Sequence, residues 1–190
     1  MKLEIISEND KEIKFVLKET TISFANMIRR YAISRVETFA IEDVTIYENN
    51  TSFFDEFIAH RLGLIPLKMP KGKIRKDYEV LFLLDCSEGG TIYSGNLKSS
   101  DKEIVPVSDK IPIIKIKDGQ SIKLEAKAVL GCAAEHAKWQ PGIVSYSYDN
   151  ENEVHFTIES FGQMEAKEIL KRALEKIKED AKEISEIEEK

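Results

Sequence analysis

Three clusters in this 190-residue chain have residue types and spacings that can carry chemistry. Glu56 and His60 stand four apart in the stretch Asp55-Glu56-Phe57-Ile58-Ala59-His60-Arg61-Leu62-Gly63-Leu64-Ile65-Pro66-Leu67. On a helix they share a face, as an acid–base or metal-binding pair must. Glu135, His136 and Lys138 crowd into a second stretch, Gly131 to Gly142, which also holds the only tryptophan, Trp139. Asn26, Arg29 and Arg30 form the third, Asn26-Met27-Ile28-Arg29-Arg30. Adjacent arginines point about 100° apart on a helix, so the core that takes Ile28 cannot bury both. A guanidinium fork left outside suits a carboxylate or a phosphate.

Each cluster also has a plainer reading. The Glu56–His60 pair is not the HExxH zinc arrangement, and no third ligand follows at a useful spacing. Asp55 and Glu56 are placed where carboxylates favour the start of a helix dipole, and the rest of the segment suits packing. A lone Trp close to Pro141 is more often an anchor in a core or an interface than part of an active site. Cys86 and Cys132 are far apart with no CxxC pair, so neither a structural zinc nor an iron–sulfur cluster is expected. A site mixing them with His60, His136 and His155 would need widely scattered ligands to converge. The plain reading is two reduced, mostly buried thiols. Phosphate-cradling, dinucleotide-binding, nucleophile-elbow and EF-hand motifs are all absent from the sequence. The enzymatic alternative is a metal-dependent hydrolase around Glu56, His60, Glu135 and His136. A nucleic-acid-binding module using Lys68, Lys71, Lys73, Arg75 and Lys76 is a further alternative. The net charge of -6 opposes it, because phosphate contact needs surplus Lys and Arg.

The elements that position these residues are legible in the periodicity. Leu3 and Ile5 share one face of a strand. Glu8-Asn9-Asp10-Lys11 makes a polar break, and Ile13, Phe15 and Leu17 alternate against Lys14 and Lys18. Thr20, Thr21 and Ser23 offer N-cap hydroxyls to a helix carrying Phe24, Ala25, Ile28, Tyr31 and Ala32. The end of the chain repeats this order. Val144, Tyr146 and Tyr148 alternate, Asp149 to Asn152 turn, and Val154, Phe156 and Ile158 alternate again. Gly162 then punctuates, and a helix runs from about Gln163 to near the C-terminus.

The apolar stripe of that helix is Ala166, Ile169, Leu170, Ala173, Leu174, Ile177, Ala181 and Ile184, at steps of three and four. At about 28 residues it would be roughly 42 Å long. That exceeds a domain this small, so part of the stripe requires a partner's helix as cover, unless its own sheet suffices. Burying each Leu or Ile contributes about 1.5–3 kcal/mol. The middle of the chain predicts strands at Glu79–Leu84, Ile111–Lys117 and Ile122–Val129, and a short helix over Phe57–Leu62 that Gly63 ends and Pro66 prevents from resuming. A composition of 42% hydrophobic and 33% charged residues is that of an ordinary globular protein. No apolar run reaches the roughly 18 residues of a membrane span, and Met1 to Glu12 has no signal-peptide core. The expectation is a cytoplasmic protein.

The run from Asn26 to Leu67, then Glu135-His136-Ala137-Lys138-Trp139-Gln140-Pro141-Gly142, then Phe156 to Gly162 before an amphipathic helix, resembles the D-type family of α-like subunits of archaeal DNA-directed RNA polymerase. That family is related to the bacterial α N-terminal domain and the eukaryotic third-largest subunit. The resemblance covers nearly the whole chain and implies an α+β fold. Residues 1–44 and 142–190 would form a discontinuous dimerisation domain, and residues 45–141 an inserted, mainly β domain. It implies a non-catalytic assembly platform that pairs with the shorter α-like subunit L and docks the second-largest and largest subunits and the small zinc-binding subunits. The catalytic aspartates would lie in the largest subunit, with no catalytic residue, cofactor or metal here and DNA met only through the complex. The partner-binding residues it implies are Phe24, Asn26, Ile28, Arg29 and Arg30; His60, Arg61, Leu62, Gly63, Leu64 and Pro66; Glu135, His136, Lys138 and Trp139; and Leu170, Leu174, Ile177 and Ala181. Many relatives carry a cysteine-rich ferredoxin-like insertion or a zinc loop, whereas only Cys86 stands near such a region here. The family's glycine-rich run before the Glu135 segment reads Gly131-Cys132-Ala133-Ala134.

Overall fold

A computed structural model of the chain describes residues 1–70, 72, 74–75, 77–150 and 153–188, with backbone alone for 149, 150, 187 and 188. The fold is α+β. In chain order the elements are β1 (Lys2–Glu8), β2 (Glu12–Lys18), α1 (Ile22–Ser34), β3 (Glu37–Asn49), α2 (Asp55–Gly63), β4 (Glu79–Cys86), β5 (Gly90–Tyr93), β6 (Lys98–Ser99), β7 (Pro112–Ile116), β8 (Ile122–Cys132), β9 (Gly142–Asn150), β10 (Glu153–Ser160) and α3 (Ala166–Glu188). They fall into two compact units, Met1–Glu37 with Cys132–Lys190, and Thr38–Gly131.

The discontinuous unit is one antiparallel sheet, ordered β1-β2-β10-β9, with α1 and α3. Each terminal hairpin supplies two strands, and β2 pairs with β10 in continuous register from Lys18↔Glu153 to Glu12↔Glu159. Asn9 shapes the first hairpin: its side-chain oxygen accepts from the backbone N–H of Lys11 and Glu12 at 2.9 and 2.8 Å. Period-2 alternation puts Ile13, Phe15 and Leu17 on the same face as their partners Ile158, Phe156 and Val154, all buried. The Phe15 and Phe156 rings stack at 4.9 Å. Thr21 caps α1, accepting from the Phe24 N–H at 3.2 Å. Ala25, Ile28 and Ala32 then face the core, as do Ala166, Ile169, Leu170 and Ala173 of α3.

α3 begins three residues later than the periodicity predicts and spans 23 residues, roughly 35 Å. The reason is local. Gly162 takes a left-handed φ of 96°, its N–H donates to the Ser160 hydroxyl, and that hydroxyl donates to the Met164 carbonyl. This turn buries Gln163 and Met164 outside the helix. The first helical bond runs from the Ile169 N–H to the Glu165 carbonyl.

The continuous unit is a four-stranded sheet, β3-β8-β4-β6, beside the two-stranded β5-β7 pair. Val80, Phe82 and Leu84 of β4 and Leu124, Ala126 and Ala128 of β8 point to one face, and α2 adds Ile58 and Leu62 to that core. The three strands expected in this region are present, with slightly different ends. β3 was not anticipated, because its first half, Thr38 to Ile41, is buried on every residue and shows no alternation. The chain changes unit at residues 37/38 and 131/132, inside β3 and β8, rather than at 44/45 and 141/142.

The Phe15–Phe156 stack generates a stability prediction. Phe156→Ala removes a fully buried ring at the junction of the terminal segments and should cost about 3–5 kcal/mol in urea unfolding of the chain. A loss below about 1 kcal/mol would contradict this account of the core.

Candidate functional site

On α1 the structure brings Asn26 and Arg29 together. Arg29 donates through Nε and Nη2 to the Asn26 side-chain oxygen at 3.1 and 3.0 Å, on a half-buried face. This fixes the guanidinium direction before any partner arrives. Arg30, one position on, is exposed, and it lines a shallow depression with Ser23, Met27, Ser34 and Arg35. Phe24 is half-buried, whereas Ile28 belongs wholly to the chain's own core and presents no surface.

On α3 the cover given by the unit itself fails progressively. Leu170 and Ala173 are buried, Leu174 and Ile177 are half-buried, Ala181 is exposed, and Ile184 is 62% exposed. The helices are tied near that transition. The Tyr31 hydroxyl donates to Asp180 Oδ2 at 2.9 Å, and Lys176 Nζ approaches Asp180 Oδ1 at 3.1 Å. The Lys176 ammonium, and then the Tyr31 hydroxyl, hold the Asp180 carboxyl below its ordinary value. The same carboxylate raises the pKa of Tyr31, because the neutral phenol is the donor. Sequence reasoning missed this cluster, since the partners are 149 residues apart.

On the β1 edge, Leu3 and Ile5 oppose Leu17 and Phe15 on the core side of the sheet, yet both are exposed. They leave apolar side chains on the β1 edge that this unit does not cover.

In the second segment, Ile58, Leu62 and Gly63 are buried and shape α2 from beneath. His60 and Leu64 are exposed, and Arg61 and Pro66 are half-buried. Arg61 donates through Nη2 to the Pro112 carbonyl, and its guanidinium lies 6.0 Å from the Phe57 ring centroid. Phe57 lies in the short helix its spacing predicts, on the outer face. It stacks on Phe53 at 5.2 Å and is 44% exposed, beside Phe54 at 80%. The signal was available: three phenylalanines in five residues exceed what one short helix face can bury.

The third segment belongs to the discontinuous unit. The Ala134 N–H donates to the Ser34 carbonyl at 3.0 Å, at the end of α1. Cys132, Ala133 and Ala134 have no left-handed φ, so this run does not need glycine there. Trp139 is buried as an anchor, the Lys138 ammonium sits 4.5 Å from its ring centroid, and His136 meets it edge-on at 6.5 Å. His136 Nδ1 accepts from the Lys138 N–H, which sets its tautomer as the Nε2-protonated form when neutral. Glu135 and His136 point outward.

Among the described residues, no three His, Cys, Asp or Glu side chains come together as a metal site. Glu56 and His60 are both exposed, so no desolvated acid–base pair forms on α2. Of the basic stretch, Lys71, Lys73 and Lys76 lie outside the described residues, and the Arg75 guanidinium is paired with Asp77 at 2.6 Å. No helix among the described residues is long and apolar enough to cross a membrane.

Residues 14–181 match the RNA polymerase Rpb3/Rpb11 dimerisation domain, a span that opens in β2 and ends one residue beyond Asp180. The chain belongs to that family. Similar proteins include three archaeal chains named DNA-directed RNA polymerase subunit Rpo3. That of Methanocaldococcus jannaschii is 48% identical over 172 residues, covering 90% of this chain and 87% of its own length. That of Pyrococcus furiosus is 44% identical over 154 residues, covering 78% of this chain and 59% of its own length. That of Halobacterium salinarum is 40% identical over 153 residues, with corresponding shares of 80% and 61%. The chain therefore spans about three fifths of the length of several relatives it matches, and most of the length of one.

Within this unit α1 and α3 are joined by the Tyr31–Asp180 hydrogen bond. The Tyr31–Asp180–Lys176 cluster makes their packing pH-dependent with a defined sign. Asp180 has a lowered pKa, so its contribution is present above the ordinary 3.8 and is lost as pH falls through the lowered value. Tyr31 has a raised pKa, so its contribution is present below the ordinary 10.0 and is lost only above that. The melting-temperature difference between wild type and Asp180→Asn should therefore stay constant from about pH 6 to 8 and close as the solution is acidified below 3.8. A difference that grows on acidification would contradict the assignment.

Proposed function

We propose that this chain is a non-catalytic assembly platform of an archaeal-type DNA-directed RNA polymerase, pairing with the shorter α-like subunit L. The observation that carries this reading is the apolar stripe of α3, which outruns its own cover after Ala173. Leu174, Ile177, Ala181 and Ile184 continue the spacing that Ile169, Leu170 and Ala173 use to pack the core. A partner helix laid along them buries side chains otherwise left in water. The relatives named Rpo3 supply the polymerase context.

The docking roles follow from the remaining surfaces. Arg29, held by Asn26, and the exposed Arg30 present fixed cations to acidic groups of the large subunits. The α2 surface with His60, Leu64 and the exposed Phe54 and Phe57 suits an apolar-centred contact with the second-largest subunit or the small zinc-binding subunits. Glu135, His136 and Lys138, set over the buried Trp139, offer a polar contact of the same kind. Catalysis resides elsewhere in the complex, DNA is met only through it, and the cytoplasm is its compartment.

The test is co-expression with subunit L. Light scattering should give a 1:1 heterodimer burying more than roughly 1,000 Å², while the chain alone should be oligomeric or aggregation-prone. A well-behaved monomer indifferent to the partner would sink the proposal. Ile177→Glu, which places a charge in the centre of the stripe, should weaken pairing at least about 100-fold while the free chain keeps its far-ultraviolet circular dichroism.

A further inference from the structure

Beyond its last fully buried residue, Ala173, α3 runs to Glu188. Among the described residues, the last side-chain hydrogen bond from α3 to another element is the one Asp180 accepts from Tyr31 at 2.9 Å. Asp180 lies two turns past Ala173, and about 12 Å of helix follow it. Lys167, at the other end of α3, bonds Glu8 of β1. The helix is thus pinned at both ends of its covered half, and the distal pin stands where the exposed stripe begins. Tyr31 itself is half-buried on α1, about one turn beyond the buried Ile28.

We infer that Tyr31 is a positioning residue for subunit pairing: by donating to Asp180 it sets the direction in which the uncovered end of α3 leaves the domain. This rests on the pairing reading above. A partner helix must match Leu174, Ile177, Ala181 and Ile184 along a line, and a small swing of α3 about Ala173 displaces Ile184 most. A tie at Asp180 removes that freedom before the partner binds, so the ordering cost falls on the folded chain rather than on association. The charged groups around the tie are Lys176 and Glu179 on α3 and Arg35 at the end of α1. The Lys176–Asp180 pair joins two residues four apart on α3 itself and so cannot direct the helix against α1, which makes the Tyr31 hydroxyl the group that carries direction.

The experiment measures association of the full chain with subunit L by surface-immobilised kinetics, for wild type and for Tyr31→Phe, Asp180→Ala, the double variant and Asp180→Asn. Tyr31→Phe and Asp180→Ala should each weaken pairing about three- to tenfold, chiefly through faster dissociation. The double variant should lose no more than either single, because both remove the same bond. Asp180→Asn, whose side-chain oxygen still accepts from Tyr31, should keep most of the wild-type affinity. Unchanged pairing in Tyr31→Phe, additive losses in the double variant, or failure of Asp180→Asn to retain affinity would each overturn the role of Tyr31 while leaving pairing itself intact. Failure of the wild-type chain to pair would overturn both readings.

Discussion

The discontinuous unit depends on one pairing, that of β2 with β10. Neither terminal hairpin is a stable object by itself, since two strands with one apolar face have nothing to cover that face. Joined edge to edge they form a four-stranded sheet, and the side chains at the seam, Phe15 on Phe156 and Leu17 beside Val154, make the floor on which α3 lies, with α1 packed on α3 and β9. This contact links residues more than a hundred positions apart, so chain closure opposes it. The continuous unit reduces that cost. β3 and β8 are neighbours in its sheet, and Asn50 at the far end of β3 bonds Ser121 just before β8. The two strands therefore run antiparallel, and residues 38 and 131 leave this unit side by side. A folded insertion with adjacent ends behaves towards its host as a short loop.

How much of this was legible in the sequence follows from which forces are local. The hairpins and α1 were, because a strand with one buried face alternates and a helix with one buried stripe steps by three and four. Thr21 and Asn9 act within three residues of themselves. β3 was not, because Thr38, Phe39, Ala40 and Ile41 are all buried and a continuous apolar run does not distinguish strand from helix. The start of α3 was misplaced because Gln163 and Met164 fit helical spacing but are held by the Ser160 hydroxyl and the turn at Gly162. That competition between a side chain and the helix ladder is invisible to periodicity.

The candidate surfaces were legible in kind and less so in detail. Asn26 and Arg29 were singled out within one stretch, and the structure joins them by hydrogen bonds. Trp139 was expected to anchor and is buried. Ile28, Leu62, Gly63 and Leu170, by contrast, serve the chain's own interior. A residue within a signature motif is as often the support of a surface as the surface itself. Phe57 shows the converse, an aromatic helix residue that stays exposed and stacks on Phe53. The Tyr31–Asp180 bond had no sequence signal at all, because it joins two faces whose relation exists only after β2 and β10 have paired.

The free end of α3 is also weak by its own chemistry, and this bears on how it works. Among the described residues no basic side chain occupies its last turn, and Glu183 and Glu186 stand where the helix dipole favours cations. Cover by the domain has ended by Ala181, so neither packing nor charge holds these turns. A rigid, self-sufficient helix carrying Ile184 in water would be an exposed apolar liability at all times. In the pairing proposed above, the tie at Asp180 stands between the covered part of the helix and the turns a partner would cover. Under that proposal, specificity of assembly arises from where the helix is directed rather than from any single contact along it.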